Sequence, residues 1–388
     1  MKDSVSTDEY FEEISFLYEY GEYAPFLKRL IDLTLDTRDI RFYWKMSELL
    51  DWYDSNKDSI SSEKQKLADY FYELKDILKN YNAVEKRILL QADNLSKKYR
   101  NSFFSLGPVN LKISTGEIIG LVGENGNGKT TLLRLLCREL VPTSGQITYF
   151  FDYKDEYDLR TKLVYIPQRT KDWHGSLLSN LRFTASSYGI IGEENKLLVE
   201  LIIARMGLRP YRNLKWKNLS SGYKMRFELA RMLLRKPQLL LIDEPLANLD
   251  ILAQQVILDD FRNMTKSPYR PLAIILSSQQ LYEVEKTSDY VIFLKNGKQD
   301  TGIYSGSSPD SVNEKLIVEF ETDWKQEQLI QLFSRLNLEK LQLEAGTYIA
   351  IFPQDTTVTQ FLELIIANNI QLLYFRNISQ STRRFFLS

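Results

Sequence analysis

Nine consecutive residues, Gly123-Glu124-Asn125-Gly126-Asn127-Gly128-Lys129-Thr130-Thr131, have the types and spacing of a loop that holds phosphates. Glycines at 123, 126 and 128 let backbone N–H groups wrap phosphate oxygens where a Cβ would clash. The helix expected after the loop turns the positive end of its dipole toward the same place. Lys129 is placed to reach the β- and γ-phosphates of a nucleotide, and the Thr130 hydroxyl to ligate Mg²⁺. Further along, Leu239-Leu240-Leu241-Ile242-Asp243-Glu244-Pro245 is an apolar run that ends in two acids. A buried strand would deliver those carboxylates to the carboxyl edge of a sheet, where a phosphate loop also sits. There Asp243 would hold Mg²⁺ through water, and Glu244 would orient and polarise an attacking water.

These residues need a scaffold, and the surrounding pattern supplies one. Ile118–Val122 reads as a short buried strand feeding the loop, and Thr130–Leu140 has helical spacing. Ala273–Leu276 is another buried-strand candidate. Asn296-Gly297 marks a hairpin after a strand at Tyr290–Leu294. Residues 88–306 therefore alternate strands and helices, the mark of α/β architecture. Residues 1–87 read as all-helical: Leu67, Tyr70, Phe71, Leu74, Ile77, Leu78 and Tyr81 recur at three- and four-residue spacing. Their aromatics suit the core of a small bundle, with a docking surface as the alternative.

Residues 312–388 change character. Strands are expected at Lys315–Glu321, Leu338–Leu343, Thr347–Phe352 and Ile370–Phe375, with helices at Gln326–Leu336 and Val358–Ala367. That β-α-β-β-α-β order is a split βαβ, ferredoxin-like unit. Gly302–Ser311 reads as the linker before it.

Composition narrows the function. The chain has 388 residues, of which 44% are hydrophobic and 26% charged, an ordinary globular balance. A formal net charge of -1 gives no electrostatic footprint for nucleic acid, and none is expected as a partner. One Cys and one His exclude an internal disulfide and a structural zinc site of four Cys/His ligands. Cys137, among Leu133, Leu136 and Leu140, reads as core, and His174 as a surface residue. The acidic N-terminal stretch lacks the basic start and apolar core of a signal peptide, and no apolar run reaches the ~18 residues of a membrane span.

Over residues 88–306 the chain resembles the ATP-binding-cassette (ABC) family. Leu219-Ser220-Ser221-Gly222-Tyr223 resembles the family signature, keeping Ser220 and Gly222 but carrying Ser221 and Tyr223 where Gly and Gln are usual. Tyr165-Ile166-Pro167-Gln168 resembles the Q-loop, and Ala247-Asn248-Leu249-Asp250 the D-loop. The resemblance implies an ABC-type P-loop NTPase core, ATP and Mg²⁺ as cofactors, and Mg-dependent ATP hydrolysis. It implies that Gln168 contacts Mg²⁺, that Tyr99 stacks on adenine, and that Asp250 serves the D-loop. It further implies that Ser220, Ser221 and Gly222 act in trans on ATP held by a second cassette. Gln279 stands at the family's switch-histidine position; it can donate a hydrogen bond but cannot carry the positive charge of His.

The expected protein is a cytoplasmic ATPase subunit, peripheral at the inner face of the membrane through a transmembrane permease. Residues 169–218 would form the helical subdomain that receives the permease, with Trp173, Leu177, Leu178, Phe183 and Tyr188 as groove candidates. The alternatives are a non-transport ABC ATPase, or an ATP-binding scaffold with weak hydrolysis because of Gln279.

Overall fold

The computed structural model describes residues 7–56, 64–100, 103–169, 172–279, 284–285, 287–299, 304–305, 315–344 and 346–379. The first of these form four helices: α1 (Thr7–Glu19), α2 (Tyr23–Thr37), α3 (Ile40–Ser55) and α4 (Gln65–Leu78). The apolar stripe of α4 is buried at Leu67, Tyr70, Phe71, Leu74 and Leu78. Tyr81 leaves that stripe because the helix has already ended, and its hydroxyl donates to Thr37 O at 3.2 Å. Phe71 meets Phe11 and Phe26 edge-on, with ring centroids 6.3 and 5.7 Å apart, so the aromatics do build a core.

The chain divides into two compact units, the first being residues 1–279 with 292–302. The four helices share that unit with the α/β core that follows them. In the core, β1 (Ile88–Lys98) pairs antiparallel with β2 (Ser105–Ser114) and with β4 (Ser144–Tyr149). The larger sheet holds β3 (Ile118–Val122), β5 (Leu163–Ile166), β6 (Leu239–Ile242), β7 (Ala273–Ser278) and β8 (Tyr290–Lys295), in the order β8-β3-β7-β6-β5. From β3 through β7 and β6 to β5 the pairing is parallel. Every residue of β3, β6 and β7 is buried, which is why β3, β6 and the Ala273–Leu276 part of β7 read as continuous runs rather than alternating ones.

Among the described residues six helices accompany these strands: α5 (Lys129–Leu136), α6 (Glu156–Lys162), α7 (Leu177–Ser187), α8 (Gly192–Arg205), α9 (Ser221–Leu233) and α10 (Ile251–Thr265). α5 stops short of Leu140 because Arg138 takes a left-handed backbone (φ 59°), the usual way to end a helix. Cys137 at that end is buried, and burial pushes its thiol up to about 11. The Asn296-Gly297 turn has both residues at positive φ (51° and 75°), as a two-residue hairpin requires, and joins β8 to β9 (Lys298–Gln299).

The N-terminal helices are tied to the core by buried charge. Arg205, at the end of α8, is 2% exposed. Its Nε donates to Asp32 of α2 at 2.7 Å and its Nη1 to Asp260 of α10 at 2.6 Å. Asp36 of α2, also buried, accepts from Ser267 Oγ at 2.9 Å and Arg270 Nε at 2.5 Å. Removing one member of a buried charge cluster strands the others in a low dielectric. Arg205→Met is therefore expected to lower stability by about 3–5 kcal/mol, read from the urea midpoint. Adding Asp260→Asn should recover part of that loss; no recovery would mean the cluster does not act through charge.

The second unit comprises residues 280–291 and 303–388. Here β10 (Tyr304–Ser305) pairs with residues 290–291. Next come β11 (Leu316–Glu321), α11 (Gln326–Phe333), β12 (Lys340–Glu344), β13 (Thr347–Phe352), α12 (Val358–Ala367) and β14 (Tyr374–Asn377). The sheet order is β12-β13-β11-β14, antiparallel throughout. Phe320, Phe333, Phe352 and Phe361 centre its core. The last strand begins at Tyr374, not Ile370. Asn369 turns left-handed (φ 50°), and Ile370 N closes α12 on Ile365 O at 3.1 Å, so Ile370 belongs to the helix end. β12 likewise starts at Lys340 because Asn337 is left-handed (φ 56°) and Leu338 N bonds Phe333 O. Apart from Tyr304 and Ser305, the expected linker Gly302–Ser311 lies outside the described residues.

Candidate functional site

β3 runs straight into the glycine-rich loop. A Cβ on Gly123 would lie 2.4 Å from Leu294 O, and one on Gly128, at φ 97°, would lie 2.8 Å from Leu106 Cδ1. Backbone crowding thus leaves no room for a side chain at Gly123, while at Gly128 the left-handed backbone itself favours glycine. Asn127 Oδ1 accepts from Asn296 N at 2.9 Å and fastens the loop to the hairpin turn. Asn125 and Gly126 are exposed. α5 begins at Lys129, and Thr130 and Thr131 fall in its first turn.

Lys129 is 5% exposed and folds back over the loop. Its Nζ donates to Gly123 O at 2.5 Å and Glu124 O at 3.3 Å, and pairs with Glu244 Oε1 at 3.1 Å. Glu244, two residues past the end of β6, adopts φ 51°, a conformation rare for a residue with a side chain and frequent at functional turns. Asp243, 2% exposed, accepts from Thr130 Oγ1 at 2.7 Å and Tyr165 OH at 3.4 Å on Oδ2, and from Ser277 Oγ at 2.7 Å on Oδ1. Burial and the negative charge of Asp243 raise the Tyr165 pKa, which keeps the phenol a donor.

The structure therefore brings together Lys129, Thr130, Asp243 and Glu244 as the spacing predicted. The Thr130 hydroxyl and the Asp243 carboxylate, 2.7 Å apart, are hard oxygen donors of the kind Mg²⁺ takes, and Lys129 brings a buried cation to the phosphate loop. The residues fit a magnesium nucleotide.

Ser277 is the member that sequence reasoning missed. Its hydroxyl donates to Asp243 and accepts from Glu244 N at 2.9 Å, so one side chain sets both acids. The parallel register pairs Ile242 with Leu276, which puts Ser277 beside Asp243. The available signal was a polar residue ending an apolar run on the strand next to the acids. Ser277→Ala should lower turnover about tenfold, equivalent to ~1.4 kcal/mol of transition-state positioning, with Ser277→Thr retaining most of it. Steady-state kinetics checks this; wild-type turnover in the alanine variant would show that Ser277 serves packing alone.

Among the described residues, no hydrogen bond joins the remaining predicted residues to this cluster. Gln168 and Gln279 are exposed just past β5 and β7, and Tyr99 is 38% exposed just past β1. Ser220 caps α9, its Oγ accepting from Tyr223 N at 3.4 Å. Ser221 Oγ donates to Asn248 O at 2.9 Å, and Asp250 caps α10 by accepting from Ala253 N at 2.9 Å. The segments around Ser221 and Asp250 are thus bonded to each other, and among the described residues no hydrogen bond joins them to Lys129. A Cβ on Gly222 would meet its nearest neighbours at an ordinary 3.7 Å, so packing within the chain does not demand glycine there.

In the helical stretch, Trp173 Nε1 donates to buried Glu228 at 2.8 Å, Leu177 is buried, and Tyr188 lies under Arg235. Of the five groove candidates Phe183 alone is largely exposed, at 72%. His174 is exposed. Among the described residues no helix is long and apolar enough to cross a membrane.

Comparison with known proteins agrees with this geometry. A family model described as ABC transporter matches residues 106–247. The phosphonates import ATP-binding protein PhnC of Bdellovibrio bacteriovorus is 31% identical over 244 residues, which cover 58% of this chain and 91% of that protein. The zinc import ATP-binding protein ZnuC of Rickettsia bellii is 31% identical over 228 residues, covering 58% of this chain and 91% of that protein. Among solved structures, cbiO1 from Clostridium perfringens, part of the ABC transporter complex cbiONQ, aligns with a TM-score of 0.51 and 26% identity, covering 55% of this chain and 87% of that chain. With almost the whole of such relatives matched around a built phosphate loop and its paired acids, the chain belongs to the ABC transporter family of ATPases, as a nucleotide-binding subunit.

Proposed function

We propose that this chain binds Mg-ATP on Gly123–Thr131, hydrolyses it with Glu244, and so energises a membrane transporter as its peripheral ATPase subunit. The observation that carries this reading is the cluster of Lys129, Thr130, Asp243 and Glu244, held within hydrogen-bond and ion-pair distance at the carboxyl edge of a parallel sheet. Mg²⁺, when bound, would neutralise charge on the β- and γ-phosphates, and Thr130, Asp243 and Gln168 are the residues to hold it. Lys129 exchanges its carbonyl and carboxylate partners for phosphate oxygens. That exchange releases Glu244, whose carboxylate then orients a water. Tyr99 offers an aromatic face to the base, and Asn125, Asn127 and the loop glycines shape the cradle.

Ser220, Ser221 and Gly222 are read as acting on ATP held by a second cassette, with Asp250 in the segment that links the two sites. The absence of any crowding around Gly222 in its own chain supports a role toward a partner. The relatives named above are transporter subunits, which supports a transmembrane permease as partner and a cytoplasmic, membrane-peripheral location. The net charge of -1 supports no nucleic acid partner. We read residues 1–87 as an accessory helical domain, 88–306 as the ABC ATPase domain, and 312–388 as an accessory domain. The antiparallel order β12-β13-β11-β14 and two helices support a ferredoxin-like reading of the last.

A scaffold with weak hydrolysis is the second reading, favoured by Gln279 in place of a protonatable side chain at the end of β7. Affinity capture from detergent-solubilised membranes, with mass spectrometry, separates the two. Retention of a multi-span membrane protein that is lost on Phe183→Glu supports the transporter subunit. Recovery of soluble partners alone would set that reading aside.

A further inference from the structure

Well away from the phosphate loop, the first unit contains a cavity of about 520 Å³, a size suited to a small organic ligand. It lies where α2 and α8 meet the segments that lead into β6 and β7. None of its lining residues belongs to the nucleotide cluster. Leu198, Ile202 and Met264 give it an apolar wall.

The charge around it is one-sided. Arg38, Arg87 and Lys236 all line the cavity and are exposed. None of the three pairs with a carboxylate among the described residues; the side-chain contact of Arg87 is to the Gln238 amide oxygen at 3.4 Å. Among the described residues Asp32 is the one carboxylate in the lining, and Arg205 already holds it at 2.7 Å. Two buried donors on the wall lack an acceptor as well. Arg205 Nη2 and Tyr269 Oη have no hydrogen-bond partner among the described residues, although Arg205 is 2% and Tyr269 5% exposed. A buried donor without an acceptor is destabilising by about 1–3 kcal/mol, and a small side-chain shift toward an anionic oxygen in the cavity would relieve it.

We propose that this cavity is a binding site for a small amphipathic organic anion, a carboxylate or phosphate head among Arg38, Arg87 and Lys236 with its apolar body against α8. The site is separate from the nucleotide site, so its test does not depend on the ATPase reading.

The full chain is titrated with 8-anilinonaphthalene-1-sulfonate, an apolar anion whose fluorescence rises on burial, and with the uncharged N-phenyl-1-naphthylamine. The expected result is one saturable anionic-dye site per chain, undisturbed by excess Mg-ATP, with the uncharged dye binding about tenfold more weakly or worse. Reversing two exposed charges, Arg38→Glu with Lys236→Glu, should reduce anionic-dye affinity about tenfold or more while leaving the urea midpoint in place. Displacement of the dye by octanoate or by octyl phosphate assigns the head group. Equal affinity for the two dyes, wild-type affinity in the reversed variant, displacement by Mg-ATP, or displacement by neither competitor would each overturn the proposal.

Discussion

Lys129→Ala is expected to weaken ATP binding about a hundredfold or more, since a charge-assisted contact to phosphate is worth roughly 1.5–3 kcal/mol before the geometry of the loop is disturbed. The disturbance adds to the loss. Lys129 bonds two loop carbonyls and pairs with Glu244 while 5% exposed, so its removal takes the cation out of a pocket that also holds Asp243. Two carboxylates then face incoming phosphates without the lysine charge between them. Equilibrium titration with a fluorescent ATP analogue, beside a urea melt to confirm folding, measures this. A folded variant that binds as tightly as wild type would remove Lys129 from the nucleotide site.

Glu244→Gln should have the opposite signature. Turnover is expected to fall about 10²–10⁴-fold, the usual contribution of a positioned general base. Binding should hold or tighten, because the neutral amide no longer competes with phosphate for Lys129, its ion-pair partner at 3.1 Å. If the cassettes close around ATP, this variant should accumulate as an ATP-dependent dimer in light scattering. Undiminished turnover would take the catalytic role from Glu244. The pair of results is diagnostic because the two residues touch: one variant loses affinity and the other loses rate.

The grouping of the candidate site residues was legible where they are contiguous. Gly123–Thr131 and Leu239–Glu244 each place their functional groups within one loop or strand, and parallel strands buried on both faces announce themselves as apolar runs. Ser277 was not legible, because its role depends on the register of β7 against β6, which local pattern does not encode. The same holds for Tyr165, whose hydroxyl reaches an acid 78 positions away. Element ends were misplaced where Arg138, Asn337 and Asn369 turned left-handed, since apolar residues beyond such a turn still look periodic. The stripe of α4 identified a helix with a buried face. What joins α2 to the core is a set of buried charges, and residue spacing carries no information about which charges will meet.

That attachment has a bearing on how the protein is made. The charged face of α2 finds its partners far downstream: Asp32 in Arg205, 173 positions on, and Asp36 in Arg270, 234 positions on. At ribosomal rates of about 5–20 residues per second, Arg270 follows Asp36 into existence by roughly 12–47 s. Through that interval the helical segment can form its own aromatic core and pair Asp32 with Arg29 inside α2, but Asp36 lacks its native cation and Asp32 its second one. The segment translated earlier is completed later, and a holding chaperone has tens of seconds in which that face is open to it.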